Sequence, residues 1–231
     1  TAANNTGTKN TAIGYQSMQN NTSGRDNTAT GYTALLANTT GLSNTGYGAF
    51  SLKANTTGNQ SVAIGFNSLK TNTTGSSNTA IGSNALYTNS TGNENTAVGI
   101  ETLYANTTGI GNSASGYQAL FSNTTGEENT AVGYKSIRAN TTGEANTGIG
   151  LNALITNTTG SDNTGIGAGA DVGASNLTNA TAIGHGAIVS ASNKIRLGDA
   201  NVTSIEGQVS FSNASDRRLK DNIKSTKYGL E

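Results

Sequence analysis

Asn78-Thr79-Ala80-Ile81-Gly82-Ser83-Asn84-Ala85-Leu86-Tyr87-Thr88-Asn89-Ser90-Thr91-Gly92-Asn93-Glu94 is followed at once by Asn95-Thr96-Ala97-Val98-Gly99-Ile100-Glu101-Thr102-Leu103-Tyr104-Ala105-Asn106-Thr107-Thr108-Gly109-Ile110-Gly111. The second stretch repeats the residue types of the first at a spacing of 17. Working outward in both directions, units of this length begin at Asn10, Asn27, Asn44, Ser61, Asn78, Asn95, Asn112, Asn129, Asn146 and Asn163, with no insertion or deletion. One glycine column runs from Gly14 through Gly82 to Gly167, and a second from Gly24 through Gly92 to Gly160. A fixed period over so much of a chain is the signature of stacked repeats in which each unit buries its apolar side chains against its neighbours.

The period is not that of a helix, and a glycine inside every unit disfavours helix by roughly 1 kcal/mol each. Strands are expected over Thr-Ala-Ile-Gly-Tyr and again near Ser-Leu, with Asn-Thr-Thr-Gly making the return, because Asn and Gly tolerate left-handed backbone angles. Each unit then forms one coil of a flattened, two-sided β-solenoid. Ten coils at about 4.8 Å each give a rod about 45–50 Å long. Two apolar columns are the expected core: Ile13, Ile64, Ile81, Val98, Val132, Ile149 and Ile166 in one, interrupted by Thr30, Tyr47 and Ser115, and Met18, Leu35, Leu52, Leu69, Leu86, Leu103, Leu120, Ile137 and Leu154 in the other.

With 33% hydrophobic residues and 5% aromatics, a single chain is short of core. Two aliphatic side chains per coil contribute roughly 3–6 kcal/mol, against backbone ordering that costs about 1–2 kcal/mol for every residue fixed. Side-by-side packing of several chains is therefore expected. The column Tyr15, Tyr32, Phe66, Ile100, Tyr117, Tyr134 and Leu151 is the expected seam, in preference to a ligand-binding stripe.

Thirteen basic residues balance 13 acidic ones, so there is no net field to draw the chain to nucleic acid or an anionic membrane. No apolar run is long enough to span a bilayer, Thr1-Ala2-Ala3-Asn4 lacks the charged and apolar regions of a signal peptide, and the chain is expected to be a soluble fragment of a longer protein. No cysteine is present, and His185 is the one histidine, so neither a disulfide framework nor a multi-histidine metal site is expected within one chain, and no cofactor is expected. Acidic residues are scattered, as Asp26, Glu94, Glu101, Glu127, Glu128 and Glu144, unlike the Asp-rich loops of calcium rolls. Many Asn-x-Thr sequons, such as Asn38-Thr39-Thr40, are read as turns rather than glycan acceptors. The residue following each core Leu becomes Tyr87, Tyr104, Phe121 and Arg138 in four consecutive units, and these four are the candidate ligand-binding residues, for a glycan whose rings stack on aromatics.

The recurring Asn-Thr-Ala-Ile-Gly, together with Ser61-Val62-Ala63-Ile64-Gly65 and Ala180-Thr181-Ala182-Ile183-Gly184, resembles the head repeats of trimeric autotransporter adhesins. The resemblance covers residues 1–196 and implies left-handed parallel β-rolls assembled as a homotrimer, although the usual unit of that family is shorter. Residues 197–215 are expected to be a β-rich transition, with Ser204 to Phe211 alternating as a strand. Residues 216–231 open with a second resemblance. Ser215-Asp216-Arg217-Arg218-Leu219-Lys220-Asp221-Asn222-Ile223-Lys224 is similar to the start of the intramolecular chaperone autoproteinases of phage tail spikes and tail fibres. That resemblance implies cleavage between Ser215 and Asp216, with Ser215 as nucleophile and Lys220 as its activating base, a role that needs a desolvated amine. Without the rest of the chaperone around the pair the bond is expected to stay uncut.

Taken together, the expected protein is the extracellular shaft or head of a trimeric fibre adhesin, on a phage tail fibre or a bacterial surface fibre such as the mosaic fibre adhesins of predatory bacteria, contacting a cell-surface glycan or receptor and not itself an enzyme. Two alternatives stand beside it. A polysaccharide-degrading spike needs clustered carboxylates, and the repeats offer only Glu127-Glu128. An ice-binding solenoid would use regular Thr columns such as Thr40, Thr57, Thr74 and Thr91.

Overall fold

The computed structural model describes residues 6–205. Contacts divide the chain into one unit from Thr1 to Ala200 and another from Asn201 to Glu231. All strands among the described residues belong to the first: β1 (Thr11–Ile13), β2 (Thr28–Thr30), β3 (Thr45–Tyr47), β4 (Val62–Ile64), β5 (Thr79–Ile81), β6 (Thr96–Val98), β7 (Ser113–Ser115), β8 (Thr130–Val132), β9 (Thr147–Ile149), β10 (Thr164–Ile166), β11 (Asp171–Val172), β12 (Ala180–Ile183), β13 (Ile188–Val189) and β14 (Lys194–Leu197). Twelve of them, β1 to β10 followed by β12 and β14, form one parallel sheet in that order. The period sets the register: Thr11 pairs with Thr28 and Ala12 with Ala29, and the same step of 17 recurs up to Ala182 beside Gly165. Gly14 and Gly31 accordingly lie on adjacent rungs, with the amide of Gly31 donating to the carbonyl of Ile13 at 2.8 Å. The chain is thus an all-β solenoid of stacked coils.

The repeat continues past its last full signature. β14 pairs with β12 through Ala180 beside Lys194, a step of 14 residues. Lys194-Ile195-Arg196-Leu197, at the expected boundary between solenoid and transition, is therefore the last strand of the main sheet among the described residues, reached by a coil that omits the Asn-Thr-Thr-Gly return.

Three expectations are corrected by the packing. The Ile column is not core. Within β4 the alternation is Val62 half-buried, Ala63 fully buried and Ile64 39% exposed, so the single inward side chain of each three-residue strand is the Ala or Gly before the Ile. The coil is narrow, and a small residue is what fits opposite the Leu column: an added methyl at Gly46 would lie 3.6 Å from Leu35 Cδ1. The Leu column itself is buried from Met18 to Leu154, as expected.

The second correction concerns the side that carries the Leu column. It is not a strand in the full repeats; only β11 and β13 pair there. The coils are still joined by backbone hydrogen bonds, such as Leu35 N–H to Ser51 O at 3.0 Å and Ala37 N–H to Lys53 O at 3.0 Å. What breaks the strand is left-handed backbone at the Leu itself and two residues before it, for example Leu69 (φ 48) and Asn67 (φ 58). Bulky residues adopt this region only when their surroundings over-determine it, and here a stack of identical coils does so.

The third correction concerns Asn-Thr-Thr-Gly. Neither its Asn nor its Gly takes left-handed backbone, as Asn38 and Gly41 show; the Asn instead makes the return as part of a buried amide ladder. Asn38 Nδ2 donates to Asn21 Oδ1 at 2.9 Å, Asn55 to Asn38 at 2.9 Å, and so on to Asn157, which donates to Asn140 at 3.0 Å. Each amide also donates to the carbonyl of the Gly three residues later, as Asn72 does to Gly75 at 2.9 Å. The Asn that opens each unit forms a second buried column, in which Asn44 Oδ1 accepts from the backbone of Ser61 at 3.0 Å. Buried amides are stabilising only when paired, and the 17-residue step pairs both columns along most of the stack. The sequon asparagines from Asn38 to Asn157 are fully buried, so none is open to glycan attachment in the folded coil.

Candidate functional site: an apolar stripe and an outward ladder

A strand only three residues long turns its first and third side chains out, and the glycine after it lets the next side chain follow on the same outer face. Two exposed columns result. Ile13, Ile64, Ile81, Val98, Val132, Ile149 and Ile166 form one, and Tyr15, Tyr32, Phe66, Ile100, Tyr117, Tyr134 and Leu151 the other. Every residue named in either column is at least 38% exposed. Within the second, Tyr15 stacks on Tyr32 with ring centroids 5.4 Å apart, and Tyr117 on Tyr134 at 5.3 Å. From Ile13 to Ile166 the steps at about 4.8 Å make the stripe about 43 Å long, and at two side chains wide it covers on the order of 400 Å², comparable with the largest apolar patches found on monomeric proteins.

The candidate ligand residues lie on another face, immediately after the buried Leu. Tyr87 and Tyr104 stack at 5.1 Å and 5°, and Tyr104 and Phe121 at 5.2 Å and 11°. Arg138 closes one end, its Cζ 5.1 Å from the Phe121 centroid. The structure thus brings the four together in one ladder. It adds residues that sequence reasoning left out: Lys70, whose Nζ lies 5.2 Å from the Tyr87 centroid and 5.3 Å from that of Phe50, and Lys53, 5.4 Å from Phe50. Lys70 and Lys53 occupy the same column one and two coils before Tyr87, so the period itself could have found them. Sugar rings pack on aromatic faces, and here those faces are turned to each other and to the cations, leaving ring edges outward.

Carboxylates gather elsewhere. Glu94, Glu127, Glu128, Glu144 and Asp162 all fall in the two residues after the Asn-Thr-Thr-Gly glycine or its equivalent, so Glu127 and Glu128 decorate a turn. Glu101 accepts a hydrogen bond from Gln118 Nε2 at 2.8 Å, and Gln118 Oε1 accepts from Arg138 Nε at 3.0 Å.

Asp171 stands where the Leu column would continue. Its carboxylate accepts from Thr156 Oγ1 at 2.6 Å, from Thr156 N at 3.2 Å and from Val172 N at 2.8 Å. Desolvation nevertheless outweighs these bonds and raises its pKa above the ordinary carboxylate value. A folded-state pKa above the unfolded one means that the native state holds the proton more tightly. Stability then falls as pH rises from the ordinary carboxylate value through the raised one. Asp171→Asn keeps an acceptor for the two amides and removes the charge. The expected outcome is a variant more stable than the parent at pH 7, with the difference vanishing toward pH 3, read from urea midpoints across that range.

Ser215, Asp216 and Lys220 lie outside the described residues. His185 is exposed in the continuation of the Tyr column. Among the described residues no group of three His, Cys, Asp or Glu side chains is placed to hold a metal ion, and no helix is long and apolar enough to cross a membrane.

The fold and its columns define a β-solenoid repeat protein. No protein-family model matches the chain, and no curated protein sequence matches it.

Proposed function

We propose that this chain is a segment of a homotrimeric extracellular fibre that attaches a cell or virion to a surface, with three left-handed rolls packed side by side along the apolar stripe. The observation that carries the reading is the stripe itself: isoleucines, valines and aromatics exposed on one face of every coil while Ala and Leu fill the interior. Each coil buries one large aliphatic side chain rather than two, so the shortage of core in a lone chain is greater than composition suggests. Burying the stripe between protomers offsets it at roughly 25 cal/mol per Å². The proposed self-cleavage site, Ser215-Asp216 with Lys220, fits the same reading as the junction to a trimerisation chaperone.

The enzyme alternative has no observation in its favour. Glu127 and Glu128 are neighbours on a turn rather than facing carboxylates across a groove. The column of the ice-binding reading, Thr40, Thr57, Thr74 and Thr91, is exposed, while the hydroxyl just before each is occupied within the stack, as Thr39 Oγ1 donates to Thr56 O at 3.0 Å.

The absence of cysteine allows a direct test. Ile81→Cys in the stripe, treated in dilute solution with a short bis-maleimide, is expected to give covalent dimers. Thr91→Cys, exposed in the Asn89-Ser90-Thr91-Gly92 turn, is expected to give none. Monomer alone from both variants contradicts the side-by-side packing.

A further inference from the structure

We infer that the ladder following the Leu column is a binding track for an acidic polysaccharide. The inference deepens the attachment reading and rests on its placing this column on the outer surface of the fibre. An aromatic ring is electronegative on its faces and electropositive at its edge. In the stack of Tyr87, Tyr104 and Phe121 the rings lie within 11° of parallel, so the faces are spent on each other, on Lys70 at one end and on Arg138 at the other. What is left to a ligand is a row of ring edges, two phenol hydroxyls, two ammonium groups and the guanidinium N–H groups that Gln118 does not take. Almost every group on that row is a donor or a positive edge.

Glu94, Glu127, Glu128, Glu144 and Asp162 are on the post-glycine turns, Asp171 is buried, and Glu101, the one beside the ladder, is held by Gln118. Such a track has little to offer the apolar face of a neutral sugar and much to offer a carboxylate repeated along a chain. Lys70 and Arg138 are four coils apart, about 19 Å, and Lys53 extends the row by one coil more, so a ligand that meets all three must be a polymer. The even overall charge of the protein draws neither polyanion by a general field, and the short row of hydroxyls, ring edges and a few cations on one column suits a single acidic glycan chain rather than a duplex.

The test uses the full chain against immobilised polygalacturonate, neutral dextran and a mixed-sequence DNA duplex, with molecular mass measured in parallel. Binding to polygalacturonate that weakens with added salt, with at least tenfold less binding to dextran and to DNA, is the expected result. Lys53→Gln/Lys70→Gln/Arg138→Gln should lose at least tenfold in affinity at unchanged mass. Should that variant fold poorly, Ala105→Glu leaves every ladder contact in place, sets a like charge beside Tyr104, and should lose a similar factor. Equal binding to dextran or DNA, or full binding by a folded variant, overturns the assignment. A single-chain mass with polygalacturonate binding intact counts against the trimer and leaves the track standing.

Discussion

Asn89→Ala is expected to cost about 3–5 kcal/mol of stability, more than any substitution of an exposed residue in the same coil. Asn89 Nδ2 donates to Asn72 Oδ1 at 2.8 Å and to Gly92 O at 3.0 Å, and its Oδ1 accepts from Asn106 Nδ2 at 2.8 Å. Gly92 O retains a donor in Asn78 Nδ2 at 2.8 Å. Asn72 Oδ1 and one proton of Asn106 are left buried without a partner. Each such group costs roughly 1–3 kcal/mol, and the small void adds to it. The ladder is a chain of like contacts, so the damage falls on both neighbouring coils rather than on one turn. Thr91→Ala, two residues on and exposed, should stay within about 0.5 kcal/mol. Urea unfolding of the two variants beside the parent reads the difference, and a loss below 1 kcal/mol for Asn89→Ala would remove the amide ladder from the account of what holds the coils together.

Gly65→Ala is the second large effect, expected at about 3–5 kcal/mol. Gly65 has φ +132, and a Cβ built on it lies 2.6 Å from the carbonyl oxygen of Gly82 and 2.7 Å from its carbonyl carbon. The backbone region alone costs about 1–3 kcal/mol for a residue with a side chain. The contact is with backbone on the next rung, and that rung is fixed by Gly82 N–H donating to Ile64 O at 2.8 Å. Relief therefore needs the coils to part, at an overpacking cost of roughly 1–3 kcal/mol. Gly111→Ala is the control. Its φ is +69, but the nearest atom to an added Cβ is Glu128 Cγ at 3.7 Å, and the equivalent residues Asp26 and Ser43 hold the same backbone region with side chains. A fall in thermal midpoint for Gly65→Ala no larger than that for Gly111→Ala would contradict the close approach of neighbouring rungs.

The period alone was enough to read the sheet, because a parallel stack has no register to choose other than the repeat length: Thr11 opposite Thr28 follows from the spacing of the units. The Leu column was equally legible, being aliphatic in every full unit. The Ile column misled because β-branched apolar residues ordinarily mark a core. Its tolerance of Thr30, Tyr47 and Ser115 marks an outer position, whereas the column before it is Ala or Gly in every unit, from Ala12 to Ala182, as an inward position in a narrow coil requires. The buried asparagines were hidden for a different reason. Amide side chains are usually assigned to turns, and only the stacking of one Asn on the next, 17 residues away, turns a polar cost into a continuous set of hydrogen bonds. Nothing in Leu35 or Leu69 announces left-handed backbone, since that conformation is imposed by the neighbouring coils. Among the candidate ligand residues the column was legible from Tyr87 to Arg138. The orientation of the rings, which decides what chemistry they present, depends on the 4.8 Å-scale spacing of the rungs and on where the cations settle.

In the proposed trimer the outward stripe of Ile81, Val98, Ile100, Tyr117 and their equivalents is covered by two further copies of the same chain. Static light scattering of the purified protein across a hundredfold dilution tests it most directly. The expected mass is three times the 23.2 kDa of one chain, held throughout the series. A folded species of 23.2 kDa at every concentration would contradict it.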